Sequence, residues 1–108
     1  MTDALVQVIE QDGRVVLAVR GEVDLANYQA VEEQINHAIS NQSTLVQIDL
    51  SQLAYIDSAG LRMLFNLANR LIRLQINLEL IAPEASPARR AVDLSGLSSA
   101  VTVLSQRG

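Results

Sequence analysis

The stretch LVQIDLSQLAYIDSAGLRMLFNLANRLIRLQINLELIA, residues 45–82, decides the fold class. It opens with LVQIDL (45–50), where Val46, Ile48 and Leu50 alternate with Gln47 and Asp49, the period of a strand with one buried face. The period then changes. Leu61, Leu64, Phe65, Ala68, Leu71 and Ile72 recur at helical spacing, with Arg62, Asn66, Asn69 and Arg73 between them. This predicts a helix over about 59–74 with those apolar residues as its core stripe. Met63 and Leu67 fall between the two faces, ordinarily the margin of a core, alternatively an apolar foothold for a partner. INLELIA (76–82) returns to a strand. Strand, helix and strand in succession form a parallel unit with a right-handed crossover.

Outward from this unit the alternation continues. ALVQVIE (4–10) and RVVLAVR (14–20) read as strands joined by a tight turn at QDG (11–13), an antiparallel hairpin. Tyr28, Val31, Ile35, Ala38 and Ile39 then share one helical face, with Asn27, Glu32, Glu33, Asn36 and His37 elsewhere. A helix over about 25–40 is predicted, with Asp24 as its N-cap. PARRAVDLSG predicts a short helix that starts at Pro87 and stops before Gly96. AVTVL (100–104) is a last, edge strand. The order β-β-α-β-α-β-α-β predicts one α/β domain over residues 1–108, with a mixed, mostly parallel sheet of about five strands.

Composition narrows the chemistry. The chain has 108 residues, 49% of them apolar, enough for one core. It has no cysteine, which excludes disulfides, a thiolate nucleophile and cysteine-ligated zinc. The formal net charge is −4 and all eight basic residues are arginines, scattered apart from Arg89-Arg90. With three aromatic residues and no basic stripe, nucleic-acid binding is not expected. No apolar run approaches the roughly 20 residues that span a bilayer, and the N-terminal stretch lacks a leader pattern. No membrane insertion and a cytoplasmic location are the expectation.

In an open α/β sheet the loops after strand carboxyl ends carry function. Two are chemically loaded here: GEVD (21–24) and IDSAG (56–60). For Asp57 and Ser58, helix capping, worth about 1 kcal/mol, is the stronger reading on spacing alone, and a modified or reactive serine is the alternative. Gly60 reads as a close-packing position in the first turn. A nucleophilic Ser58 needs a general base. The only histidine, His37, lies on the polar face of another helix, and IDSAG lacks the G-x-S-x-G elbow. No enzymatic activity is expected. Glu22, Asp24 and Asp57 offer carboxylates for a weakly held Mg²⁺, but the two aspartates read as caps against positive helix ends, so no metal is expected. No glycine-rich phosphate loop is present, and no cofactor is expected.

Three blocks, VRGEVDLANYQAVEEQI (19–35), IDLSQLAYIDSAGLRML (48–64) and SPARRAVDLSGL (86–97), together resemble the STAS domain of bacterial anti-sigma-factor antagonists, or anti-anti-sigma factors. The resemblance spans nearly the whole chain. It implies the STAS fold, a mixed sheet with helices mainly on one face. It also implies that Ser58 is phosphorylated by a cognate anti-sigma factor, a serine kinase of the GHKL type. The unphosphorylated form would bind that kinase and free a sigma factor, and a phosphatase acting on phospho-Ser58 would reset it. Asp24 would lie beside the site, and Gly60 matches the family's glycine. The expected partner-binding set is Asp24, Asp57, Ser58, Ala59, Gly60, Arg62 and Met63. Ala59 replaces a common Ser or Thr and leaves one phosphoacceptor. Arg62 replaces a common Gly, and there excludes a generic partner or binds the phosphate. A phosphate at the helix N-terminus would meet free backbone N–H groups, so the fold should survive modification. Other STAS proteins imply the alternative of a stressosome-like scaffold or an accessory subunit of an ABC-type transport ATPase.

Overall fold

The long second strand organises the molecule. In the computed structural model, which describes residues 3–40 and 42–107, β1 (Ala4–Gln11) and β2 (Arg14–Val23) form an antiparallel hairpin paired from Ala4↔Gly21 to Gln11↔Arg14. Its turn residues Asp12 and Gly13 have φ of 53° and 82°, the left-handed pair that matches the twist of a two-residue hairpin. Then follow α1 (Tyr28–Ala38), β3 (Leu45–Asp49), β4 (Leu53–Ile56), α2 (Ser58–Arg73), β5 (Asn77–Ile81), α3 (Pro87–Ser95), a 3₁₀ turn (Leu97–Ser99) and β6 (Thr102–Leu104). The sheet order is β1-β2-β3-β5-β6, with every pair except β1–β2 parallel.

The sequence pattern predicts five strands; the sheet has six. The additional strand, β4, is four residues long with Leu53 and Ile56 buried and Ala54 and Tyr55 exposed, a burial sequence that lacks a period of two. β4 lies end to end with β3 along β2. β2 pairs with β3 from Arg14↔Leu45 to Ala18↔Asp49, then with β4 from Gly21↔Leu53 to Val23↔Ile56. The register shifts between Gly21 and Glu22. Gly21, at φ 94°, is required there: a Cβ would stand 2.3 Å from the Asp3 carbonyl oxygen.

One buried cluster joins Val15, Leu17 and Val19 of β2, Val46 and Ile48 of β3 and Leu80 of β5 to the apolar faces of all three helices. The helices therefore cover one face of the sheet, as the resemblance implies. The opposite face carries a polar ladder. The Arg14 guanidinium donates to Gln47 Oε1 at 2.6 and 3.1 Å, Gln47 Nε2 donates to Glu79 Oε1 at 2.7 Å, and Arg107 Nε donates to Asp49 Oδ2 at 2.6 Å. No helix among the described residues is long and apolar enough to cross a membrane.

Two helices differ from the pattern's expectation. α1 starts at Tyr28 rather than near 25, and its N-cap position is Asn27, without a side-chain cap, not Asp24. α2 is rotated about its axis. Ile72, in the predicted stripe, is 64% exposed, whereas Met63 and Leu67, predicted at the margin, are 3% and 5% exposed. The phase is set by Gly60. A Cβ there would stand 2.6 Å from Ile56 Cγ1 and 2.9 Å from Val23 Cγ1. Only a glycine lets this turn come so close to the ends of β4 and β2, and the buried line then runs Gly60, Met63, Leu64, Leu67, Leu71.

Candidate functional site

β2 and β4 end side by side at Val23↔Ile56, so the loops that follow leave the sheet at the same edge. The Asp57 amide donates to the Val23 carbonyl at 3.1 Å and pins the second loop to the end of β2. Asp57 is the N-cap of α2, as its spacing predicts. Its backbone is extended, and its Oδ1 accepts from the amides of Ala59 (2.9 Å) and Gly60 (3.1 Å). Its Oδ2 accepts from the Leu25 amide at 3.0 Å. One carboxylate thus both caps a helix and ties together loops 32 positions apart.

Asp24 serves the first loop. Its Oδ1 accepts from the Ala26 amide at 2.9 Å, and its carbonyl accepts from the amides of Asn27 and Tyr28. Asn27 replies with Oδ1 to the Asp24 amide (2.9 Å) and Nδ2 to the Glu22 carbonyl (2.8 Å). Residues 24–27 are therefore a self-bonded turn rather than the first turn of α1. Among the described residues no group of three or more metal-ligating side chains comes together. Both oxygens of Asp57 already face N–H donors.

Ser58 is the first residue of α2 and is exposed. Among the described residues its hydroxyl has no hydrogen-bond partner. It opens onto a groove of about 330 Å³ shared with Leu61, Arg62, Phe65 and, from the end of α3, Ser95. Leu61 and Phe65, which the pattern places in the core, are half-buried walls of this groove. A second, smaller groove runs between β4 and α3, lined by Tyr55, Arg90 and Leu94 among others. Exposed apolar side chains surround the site: Leu25 at 75%, Tyr55 at 50% and Leu94 at 83%. The sequence pattern does not single these out, although Leu94 lies off the Ala88–Val92 face of its helix, a signal for an apolar residue without a core role.

Of the predicted partner set, Asp24, Asp57, Ser58, Ala59 and Arg62 are at least partly open on this edge. Gly60 and Met63 are not. Both are buried, Gly60 against Val23 and Ile56 and Met63 in the core, so a partner can feel them only through the shape they impose. Of the first-turn amides predicted to be free for a phosphate, those of Ala59 and Gly60 are occupied, since both donate to Asp57. His37 is in the last turn of α1, roughly 14 Å of helix from the end beside Leu25 and Asp57. Ser58 therefore has no imidazole base.

The family model described as the STAS domain matches residues 6–106. The anti-sigma-F factor antagonist RsfB of Mycobacterium tuberculosis is 31% identical over 100 residues, which cover 93% of this chain and 80% of that protein. The crystal structure of an anti-sigma factor antagonist from Mycobacterium paratuberculosis superposes with a TM-score of 0.80 at 25% identity, over 96% of this chain and 87% of that one. SpoIIAA shares the fold in two states. The unphosphorylated anti-sigma factor antagonist gives a TM-score of 0.72 at 21% identity, covering 95% and 90% of the two chains. The phosphorylated form, from Bacillus, gives 0.63 at 19%, covering 94% and 93%.

Proposed function

The chain belongs to the STAS domain family, and on that footing we propose that it is an anti-sigma factor antagonist whose docking surface surrounds the start of α2 and whose binding is switched off by phosphorylation of Ser58. The observation that carries this reading is the exposed, unengaged Ser58 hydroxyl on a rim of exposed apolar side chains. The relative RsfB, described as an anti-sigma-F factor antagonist, and the two states of SpoIIAA support it.

The partner is an anti-sigma factor with serine kinase activity of the GHKL type. It transfers the γ-phosphoryl group of ATP to Ser58 Oγ. The bond from phosphorus to the β–γ bridging oxygen breaks, ADP leaves, and the hydroxyl proton is released. The base and the nucleotide belong to the partner, consistent with the absence of an imidazole near Ser58. A phosphatase that hydrolyses the ester restores the binding form. A partner that uses ATP places this exchange in the cytoplasm.

Docking would draw on Leu25, Tyr55 and Leu94 as apolar contacts, on the Leu61–Phe65 groove with the Ala59 methyl beside it, and on Asp24, Asp57 and Arg62 as its polar edge. Phosphorylation adds about −1.5 to −2 charges. A phosphate roughly 5 Å from one like charge at a protein rim costs about 1–3 kcal/mol, which is about ten- to hundredfold in affinity. None of the three bonds accepted by Asp57 involves Ser58 Oγ. The backbone can therefore stay in place while affinity changes.

The test is phosphorylation by the kinase encoded alongside, with ATP, followed by mapping of the modified residue and titration of Ser58→Ala and Ser58→Glu against that kinase. Phosphate at Ser58, retained binding by Ser58→Ala and weakened binding by Ser58→Glu are expected. Phosphate on another residue, or equal affinities of the two variants, refutes the mechanism.

A further inference from the structure

We propose that Arg62 is the receptor, within this chain, for the phosphate on Ser58, an inference that rests on Ser58 being the modified residue. Ser58 and Arg62 are four positions apart on α2, both exposed, and both line the same groove. Side chains at this spacing have Cβ atoms about 5–6 Å apart, and an acid placed N-terminal to a base is the favourable order. A guanidinium can give a phosphate two parallel N–H bonds.

The same geometry leaves few competing receptors. The first-turn amides of Ala59 and Gly60 are bonded to Asp57, which leaves the phosphate only the Ser58 amide at the helix end. The other charged groups of the two loops at this edge are the carboxylates of Asp24 and Asp57, which repel it. On α3, Arg89 is paired with Asp93 at 3.3 Å, and Arg90 lines the neighbouring groove rather than this one. Arg62 itself forms no ion pair among the described residues, whereas Arg14, Arg70, Arg89 and Arg107 are committed to Gln47, Asn36, Asp93 and Asp49.

The consequence is a switch with two linked parts. Without phosphate, Arg62 is a free cation on an acidic docking edge, available to a partner's carboxylate. With phosphate, the guanidinium turns back over the groove beside Leu61 and Phe65. The surface gains a dianion, loses its cation and has its apolar wall covered in one event.

The test uses the full chain with phosphoserine genetically encoded at position 58, so that it does not depend on any kinase. The secondary ionisation of the phosphate, ordinarily near about 6, is followed by ³¹P NMR. In the parent protein it is expected about 0.5 unit or more below that in Arg62→Gln, with the gap closing in about 1 M salt. Arg90→Gln is expected to titrate like the parent. Thermal melts confirm that the exposed-site variants are folded. Equal titrations in the parent and Arg62→Gln, or a shift that disappears in Arg90→Gln instead, overturn the inference while leaving modification of Ser58 intact. Failure of the kinase to modify Ser58 refutes the function proposed above but leaves the titration result standing.

Discussion

Asp57 makes three side-chain hydrogen bonds of two kinds, and two substitutions separate them. Asp57→Ala removes the cap on Ala59 and Gly60 and the link to Leu25 together. Loss of an N-cap costs about 1 kcal/mol. The exposed link to Leu25 adds about 0.5–1.5, and the lost charge at the helix end about 0.3–1, for a total of roughly 2–3.5 kcal/mol. Asp57→Asn behaves differently. Asparagine caps as well as aspartate, so its carbonyl oxygen keeps the bonds to Ala59 and Gly60. Its amide NH₂ then points a donor at the Leu25 N–H, which is itself a donor. Asn should therefore lose only the inter-loop link and the charge, about 1–2.5 kcal/mol, and stand between the parent and Ala. Urea denaturation monitored by circular dichroism measures all three, and repetition in about 0.5 M salt removes most of the charge contribution. If Asp57→Asn equals the parent at both salt concentrations, the bridge to Leu25 contributes nothing. If it equals Asp57→Ala, the cap is not what the carboxylate provides. Either result refutes the assignment of Asp57 as the joint between the two loops.

Gly60→Ala should destabilise by about 1–3 kcal/mol, as inserted methyl groups in packed sites do, because its Cβ would meet Ile56 and Val23 at 2.6 and 2.9 Å. Alanine's better helix propensity, about 1 kcal/mol, offsets only part of this in a denaturation series; a stabilised Gly60→Ala would contradict the packing. Asp49 contributes to the acid limb of stability. Burial pushes its carboxyl up, but the hydroxyl and amide of Ser51 and the Arg107 guanidinium together hold it below the ordinary carboxylate value. A depressed folded value stabilises the native state above the unfolded value of about 3.9, and that contribution is lost as pH falls through the folded value. Parent and Arg107→Ala should accordingly differ in melting temperature at neutral pH and converge below about pH 3.9; a difference that persists unchanged under acid would exclude the ion pair as its source.

The alternation of periods is enough to place the hairpin, the helices and the parallel strands, because each long element buries one face and its pattern reports that face. It fails where an element is short or its apolar surface is broad. β4 is invisible because only Leu53 and Ile56 turn inward, three residues apart, and its strand character comes from pairing with β2 rather than from its own pattern. The turn at 24–27 contains two residues of capping type, Asp24 and Asn27, and only the bonds between them show that Asp24 closes a turn before the helix. Asp57 is legible as a cap from its position, yet its bond to Leu25 depends on two strands ending together, which no local pattern records.

The phase of α2 links core and site most directly. Its apolar residues occupy more than half the circumference, so two stripes that share Leu64, Ala68 and Leu71 fit almost equally well: one extends through Leu61, Phe65 and Ile72, the other through Met63 and Leu67. Gly60 decides between them, since only a residue without a Cβ can approach Ile56 and Val23 so closely. That choice buries Met63, leaves Ile72 in solvent, and holds Leu61 and Phe65 half-covered beside Ser58. The apolar wall next to the hydroxyl therefore follows from how the core closes. Substitutions that rotate α2 should change partner binding even where they touch no exposed residue.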